Sequence, residues 1–220
     1  MNNINLIPLY LSIYLAIITS IILIIISIPI AWILSKIKIK ILKKIIETLV
    51  ALPLVLPPTI LGFYLIYFLN PSSNIGKIWN ALFGFDLVFS MTGLLIGSII
   101  YSLPFAIQPI NIAFENISLD IINLSKILQL SKYKTFIKII LPLSKNSILT
   151  SFILSFAHTI GEFGVALMIG GNIQGKTQVI SIAIYESFEL LNYKNTHILS
   201  AIVIIISFLI LLTVFYINKK

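Results

Sequence analysis

His158 and Glu162 stand four residues apart in a run that is otherwise almost wholly apolar. On a helix that spacing puts both side chains on one face. An imidazole and a carboxylate so placed can do three things. They can hold a metal ion, with Glu186 or His197 as a third ligand. They can hydrogen-bond to each other inside a helical bundle. They can line or gate a path through it. Ionisable groups inside a membrane span cost about 3 kcal/mol each on insertion scales, so a function is the default reading.

A second constellation is Gly170-Gly171-Asn172-Ile173-Gln174-Gly175-Lys176-Thr177, which matches the phosphate-loop pattern G-x-x-x-x-G-K-T. That pattern cradles phosphates only between a buried strand and a helix. Here a long apolar run precedes it, and the chain has no parallel-sheet pattern. The glycines are expected to form a turn, and Lys176 is expected to bind no nucleotide. There is no Ser-His-Asp order, no G-x-S-x-G and no carboxylate pair at working spacing, so no catalytic residue and no bound metal or cofactor is expected. The absence of cysteine excludes disulfides and thiolate chemistry.

Two further stretches have unusual local chemistry. Leu52 to Leu65 reads LPLVLPPTILGFYL. Three prolines and a glycine rule out a straight helix. Proline at membrane depth is tolerated where other groups satisfy the freed carbonyls. This stretch is either a kinked packing helix or an opening lined by Pro57, Pro58, Thr59 and Gly62. Asn123 to Ser147 carries five lysines on a polar-faced segment between apolar runs. It has the character of a docking helix for a soluble partner. Ile127, Leu128, Leu130 and Tyr133 are the expected apolar anchors, because spacings of three put Ile127 and Leu130, and also Leu130 and Tyr133, on one side.

The elements that must position these residues follow from composition. The chain is 59% hydrophobic and 10% charged, where a soluble domain carries about 25% charged residues. A bilayer is the implied solvent. Crossing its hydrocarbon takes about 20 apolar residues. Five segments qualify, near Leu9–Leu34, Ile45–Leu69, Phe89–Ile112, Ser147–Ile169 and His197–Ile217. The intervening Asn70–Val88 is expected to be a loop, with turns at Asn70-Pro71 and Asn74–Gly76. A helical stretch at Val179–Leu191 is expected to lie along the interface or dip into the membrane.

The formal charge of +8 reflects lysines flanking the spans, not a nucleic-acid partner. Twelve lysines (36, 38, 40, 43, 44, 126, 132, 134, 138, 145, 219 and 220) fall on one side, and Lys77, Lys176 and Lys194 on the other. Positive residues mark the cytoplasmic side. The expected topology has the amino terminus outside and the carboxyl terminus in the cytoplasm. The expected fold is an all-α polytopic membrane protein, one domain over residues 1–220. The cytoplasmic coupling segment is expected near 115–146 and an outer re-entrant or interfacial segment near 170–195.

Three motifs carry a resemblance. LPLVLPPTILGFYL, Phe156-Ala157-His158-Thr159-Ile160-Gly161-Glu162-Phe163-Gly164, and Met168-Ile169-Gly170-Gly171-Asn172-Ile173 through Ser181-Ile182-Ala183-Ile184-Tyr185 resemble the molybdate ABC transporter permeases. The likeness runs from about Leu11 to Ser207. Sulfate and tungstate permeases are close relatives of that family. The family's cytoplasmic loop begins EAA, has a glycine several residues later and ends I-x-LP. Here Asn123-Leu124-Ser125 stands at the EAA positions and Gln129 at the glycine, while Ile139, Leu141 and Pro142 keep the ending.

The resemblance implies the type I importer permease fold and a place in the plasma (inner) membrane among its lipids. It implies a homodimer of permeases forming the path for molybdate or tungstate. Two separate ATPase chains hold ATP and magnesium, and each grips a coupling segment that here includes Asn123, Ser125, Gln129, Ser131, Leu141 and Pro142. An extracytoplasmic binding protein delivers the anion. The pathway or gate candidates are Pro57, Pro58, Thr59, Gly62, His158, Gly161, Glu162 and Gly164. Importing a dianion against about 100 mV costs about 4.6 kcal/mol, so a chain without an ATP site needs such a partner. The rival readings are a sulfate, thiosulfate or other oxyanion permease, an intramembrane metalloenzyme and a scaffold.

The topology has a direct test, because any introduced cysteine is unique in this chain. Ser73→Cys should react with an impermeant thiol reagent added outside. Ser131→Cys should react only after the membrane is opened. The opposite labelling would reverse the orientation.

Overall fold

The computed structural model describes residues 5–218, so Lys219 and Lys220 of the lysine count lie outside the described residues. Among the described residues there are helices and turns and no strand. Three helices are long and apolar enough to cross a membrane, or up to five if each of two bent pairs counts as one span. The all-α expectation therefore holds, and the proline-rich second segment is indeed broken.

Helix α1 (Ile7–Lys36) and helix α5 (Met91–Glu115) are the long central elements. Both are apolar all round, so hydrophobicity alone cannot say which face is inside. Small residues decide it. The buried positions of α1 include Ser12, Ala16, Thr19, Ser20, Ser27 and Ala31. Those of α5 include Gly93, Gly97, Ser98, Ser102 and Ala106. In lipid there is no hydrophobic drive between helices, and small side chains let backbones pack closely. Within the α1 stripe Ser20 Oγ donates to the Ala16 carbonyl of its own helix at 2.7 Å. Helix α12 (Tyr193–Asn218) instead keeps Ile204, Ile205, Phe208, Phe215 and Tyr216 exposed, as a lipid-facing helix would.

The second segment is α2 (Lys40–Ala51), a 3-10 turn at Leu52–Leu54, and α3 (Pro58–Leu69), with a bend of 102° between the two parts. Pro57 and Pro58 have no N–H to offer the carbonyls four residues earlier, so the helix stops at this point. The loop expected at Asn70–Val88 contains α4 (Asn74–Phe83). The turn at Asn70-Pro71 is present, but Asn74–Gly76 is the first turn of this helix. Ser73 caps it by accepting from the Gly76 N–H at 2.9 Å, as a serine N-cap does.

The fourth expected span is also interrupted. Helix α6 (Leu119–Ile127), α7 (Lys132–Thr135), a π-helical turn (Phe136–Ile140) and α8 (Leu141–Leu143) lead into α9 (Lys145–Gly161), with a bend of 66° before α9. Glu162 is then extended, with ψ 126°, before α10 (Gly164–Gly170). Helix α11 (Ile180–Glu189) follows the glycine turn. It is built into the body: Val179, Ile180 and Ile182 are buried, and the Ile180 N–H donates to Ser12 Oγ of α1 at 2.7 Å.

The two broken segments pack on each other. A Cβ on Gly164 would fall 2.7 Å from Pro58 Cβ, and one on Gly62 would fall 2.6 Å from Met168 Cβ. Pro58 and Gly62 are one turn apart on α3, as Gly164 and Met168 are on α10. Each glycine thus receives the larger residue of the other helix. A Cβ on Gly161 would meet nothing within 4 Å. Gly164→Ala and Gly62→Ala should each destabilise the permease by about 1–3 kcal/mol through overpacking, measured as thermal unfolding in detergent. Gly161→Ala should stay within about 0.5 kcal/mol of the parent. Equal behaviour of the three would mean that the crossing yields easily.

Candidate functional site

The crossing of α3 and α10 sets Pro58 against Gly164 and Gly62 against Met168, with Pro57 and Thr59 flanking Pro58 on one chain segment and Gly161 and Glu162 preceding Gly164 on the other. Pro57 is the N-cap of α3, and its carbonyl accepts from the Ile60 N–H at 2.9 Å. Thr59 is exposed on the first turn, while Gly62 is buried against α10. The break after Gly161 sits beside this turn.

Glu162 and His158 are not on one helical face. Glu162 lies past the last residue of α9 with an extended backbone, so the spacing of four no longer pairs them. The Glu162 side chain is 3% exposed, and neither carboxylate oxygen has a hydrogen-bond partner. The Ser98 hydroxyl of α5 interacts with this carboxylate, but outside ordinary hydrogen-bond geometry. The Glu162 backbone is better held: its carbonyl accepts from Ser181 Oγ of α11 at 2.6 Å.

His158 is committed to α5. Its Nδ1 is 2.8 Å from Ser102 Oγ, which is also 3.1 Å from Thr159 Oγ1. Its ring lies 4.2 Å from Phe105 and 4.7 Å from Tyr101 between centroids. The structure thus gives His158 a packing role between α9 and α5. Among the described residues, no three His, Cys, Asp or Glu side chains are grouped to hold a metal ion. Glu186, one imagined third ligand, accepts from the amide of Gln178. His197, the other, is exposed on α12.

The G-x-x-x-x-G-K-T stretch follows a helix and forms a turn. Gly171 and Gly175 have φ of +69° and +73°, where glycine is favoured. Thr177 closes the turn by donating to the Gly170 carbonyl at 2.6 Å and accepting from the Ile173 N–H at 3.1 Å. Its hydroxyl is used up inside the loop.

The lysine-rich segment is not one helix. It breaks between α6 and α7, where Gln129 has φ +53° and the Leu130 N–H donates to the Ser125 carbonyl at 3.0 Å. The left-handed backbone explains why a glycine would suit position 129. The break removes the helical register used to group the anchors. Ile127, Leu128 and Tyr133 are 75%, 68% and 72% exposed, whereas Leu130 is partly buried. Asn123 and Gln129 are exposed, and Ser125 is buried. Ser131 caps α7 by accepting from the Lys134 N–H at 3.3 Å. Pro142 opens the short α8.

Leu141 turns inward, with Phe136, to a core of Ala31, Ile110, Phe114 and Ile140. Trp32 of α1 joins them, 4.7 Å from Phe136 and 6.0 Å from Phe114. This aromatic cluster fastens the segment to α1 and α5. The sequence reading missed it, because its rings come from three distant stretches with no local signal.

Comparison with known proteins fits this architecture. Residues 27–219 match the family described as binding-protein-dependent transport system inner membrane component. The molybdenum transport system permease protein ModB of Azotobacter vinelandii is 40% identical over 160 residues, covering 73% of this chain and 71% of that protein. A putative molybdenum transport system permease of Bacillus subtilis is 36% identical over 75% of this chain and 71% of that one. A probable sulfate transport system permease of Chlorella vulgaris is 34% identical over 74% of this chain and 62% of its own length. In the crystal structure of a bacterial alginate ABC transporter with a periplasmic protein, one chain shares the fold, with a TM-score of 0.68 at 16% identity over 94% of this chain and 77% of that one. The chain belongs to the binding-protein-dependent transport system inner membrane components: it is the permease subunit of an ABC importer, not an enzyme.

Proposed function

We propose that this permease carries molybdate, or the similar tungstate, and that the α3–α10 crossing with Glu162 is its gate. It works as a homodimer with two ATPase chains, which hold ATP and magnesium, and an extracytoplasmic anion-binding protein. The amino terminus is outside and the carboxyl terminus cytoplasmic. The substrate reading rests on the similarity to molybdenum permeases. The gate reading rests on one observation: a buried carboxylate with, among the described residues, no cation beside it and no hydrogen bond of ordinary geometry sits at the break next to the α3–α10 crossing. Removing such a group from water is costly unless it is paired. Once the crossing opens to water, the Glu162 carboxyl can ionise and place a negative charge beside the path, and that opposes the leak of an anion. Helix α3 buries only the side turned to α10, and Phe63, Tyr64, Tyr67 and Phe68 remain exposed for the second copy of the permease.

Sulfate is the second reading, supported by the 34% identity to the Chlorella vulgaris protein. ATP-driven uptake by the complex in liposomes separates the two. Molybdate uptake should keep more than half its rate under a tenfold excess of sulfate. Sulfate that abolishes it, and is itself imported, would favour the second reading. In the same assay Glu162→Gln should lower uptake at least fivefold with the complex still assembled. Unchanged uptake would leave Glu162 a structural residue.

Coupling to the ATPase is assigned to the segment around α6 and α7, through Ile127, Leu128 and Tyr133. Leu128→Asp is a cleaner probe than a change at Leu130, which is partly buried within the chain. An unpaired charge buried in a docked interface is strongly unfavourable. The variant should insert and dimerise but fail to co-purify the ATPase. An ATPase that stays bound, with hydrolysis still stimulated by loaded binding protein, would place docking elsewhere.

A further inference from the structure

Helix α2 and the end of α5 meet through four polar side chains that none of the motifs includes. Lys43 Nζ is 2.8 Å from Glu115 Oε1 and 3.9 Å from Glu47 Oε1. Asn111 Nδ2 donates to Glu115 at 2.7 Å and to Glu47 at 3.3 Å. Lys43 and Glu47 belong to α2; Asn111 and Glu115 belong to α5. Each helix therefore holds its own pair at a spacing of four, which is favourable on a helix surface by itself. The remaining two contacts cross between the helices.

This arrangement has a particular property. If the helices part, Lys43 keeps Glu47 and Asn111 keeps Glu115, so neither donor is stranded. A contact whose members keep partners when it opens is suited to opening repeatedly. Other features agree. Helix α2 buries none of its residues. A cavity of about 500 Å³ lies between the helices, lined by Lys44, Thr48, Ala51, Ile107 and Gln108 among others. Close-packed interfaces resist motion, and this one is not close-packed. At one end, α2 leads through the 102° bend to Pro58 and the crossing. At the other, Glu115 is four residues before the start of α6, the first helix of the coupling segment.

We infer that Lys43, Glu47, Asn111 and Glu115 form a reversible latch, closed in this conformation and open in the other state of the transport cycle, which ties the coupling segment to the gate. They are positioning residues, and the assignment rests on the coupling role proposed above. A two-state element that each partner biases is the physical form such coupling takes.

Two experiments on the full complex in liposomes test it, with molybdate as the probe. In the first, Lys43→Glu and Glu115→Lys are made singly and together. Each single reversal should lower molybdate imported per ATP hydrolysed at least fivefold. The double exchange should restore the ratio to within twofold of the parent. A pair that only stabilised the fold would shift thermal unfolding and leave this ratio alone. A parental ratio in both singles, or no rescue in the double, overturns the latch.

The second experiment needs no ion pair. Lys43→Cys with Glu115→Cys, the only thiols in the chain, is bridged by a short bis-methanethiosulfonate. Bridging should stop uptake and binding-protein-stimulated hydrolysis at least tenfold, and reduction should restore both. Full activity while bridged overturns the proposal, as does failure of the bridge to form. The coupling reading fails separately, by ATPase binding to Leu128→Asp. A complex that imports sulfate in place of molybdate corrects only the substrate, and both experiments are then read with sulfate.

Discussion

Backbone hydrogen bonding is the constraint that organises this molecule. In hydrocarbon an unpaired N–H or C=O has no water to turn to, so a broken helix survives only where protein covers the break. This chain breaks two apolar segments, at Pro57-Pro58 and at Glu162-Phe163. Each break is covered mainly by the other. The Pro58–Gly62 turn lies in the Gly164–Met168 turn with Cβ clearances below 3 Å. Helix α11 completes the cover by donating Ser181 Oγ to the Glu162 carbonyl. The small-residue stripes of α1 and α5 then let the long helices close around the pair.

Much of this was legible in the sequence, and the parts that were not share a cause. Composition and run length give the all-helical membrane fold, because hydrophobicity is local. The prolines of LPLVLPPT mark the first break, because a missing N–H is local too. The second break is not marked. Gly161 and Gly164 sit in an apolar run that reads as helix, and only packing against Pro58 shows why the chain turns. His158 and Glu162 were grouped on a helix that ends between them. The coupling segment was read as one helix, yet position 129 adopts φ +53° with a glutamine. A glycine there would have signalled the turn. The Trp32, Phe114 and Phe136 cluster and the Lys43–Glu115 pair join residues far apart in the chain, and no periodicity reports on such contacts.

The two ends of the molecule differ in mechanical character, and this bears on how a distant ATPase can act. The crossing of α3 and α10 is tight, with glycines that have no room for a methyl group. It can move as a unit but cannot deform gradually. The end that carries α2 and the end of α5 is looser. There α2 is unburied, a cavity underlies it, and its polar tie to α5 is part-exposed, with Lys43 at 24% and Glu115 at 34%. Ion pairs of this kind contribute about 0–1 kcal/mol. Moving a dianion inward against about 100 mV requires about 4.6 kcal/mol.

A tie that weak cannot drive transport, so its value lies in choosing between two arrangements. The ATPase must supply the energy difference, in the proposed coupling by docking on α6 and α7. The aromatic cluster around Trp32 carries that displacement into α1 and α5 as a packed unit, since rings 4.7 to 6.0 Å apart move together. On the proposed reading, the tight α3–α10 crossing, the packed aromatic cluster and a weak tie between them form a switch: motion concentrates where resistance is lowest. For this permease, that place is the interface between α2 and the end of α5.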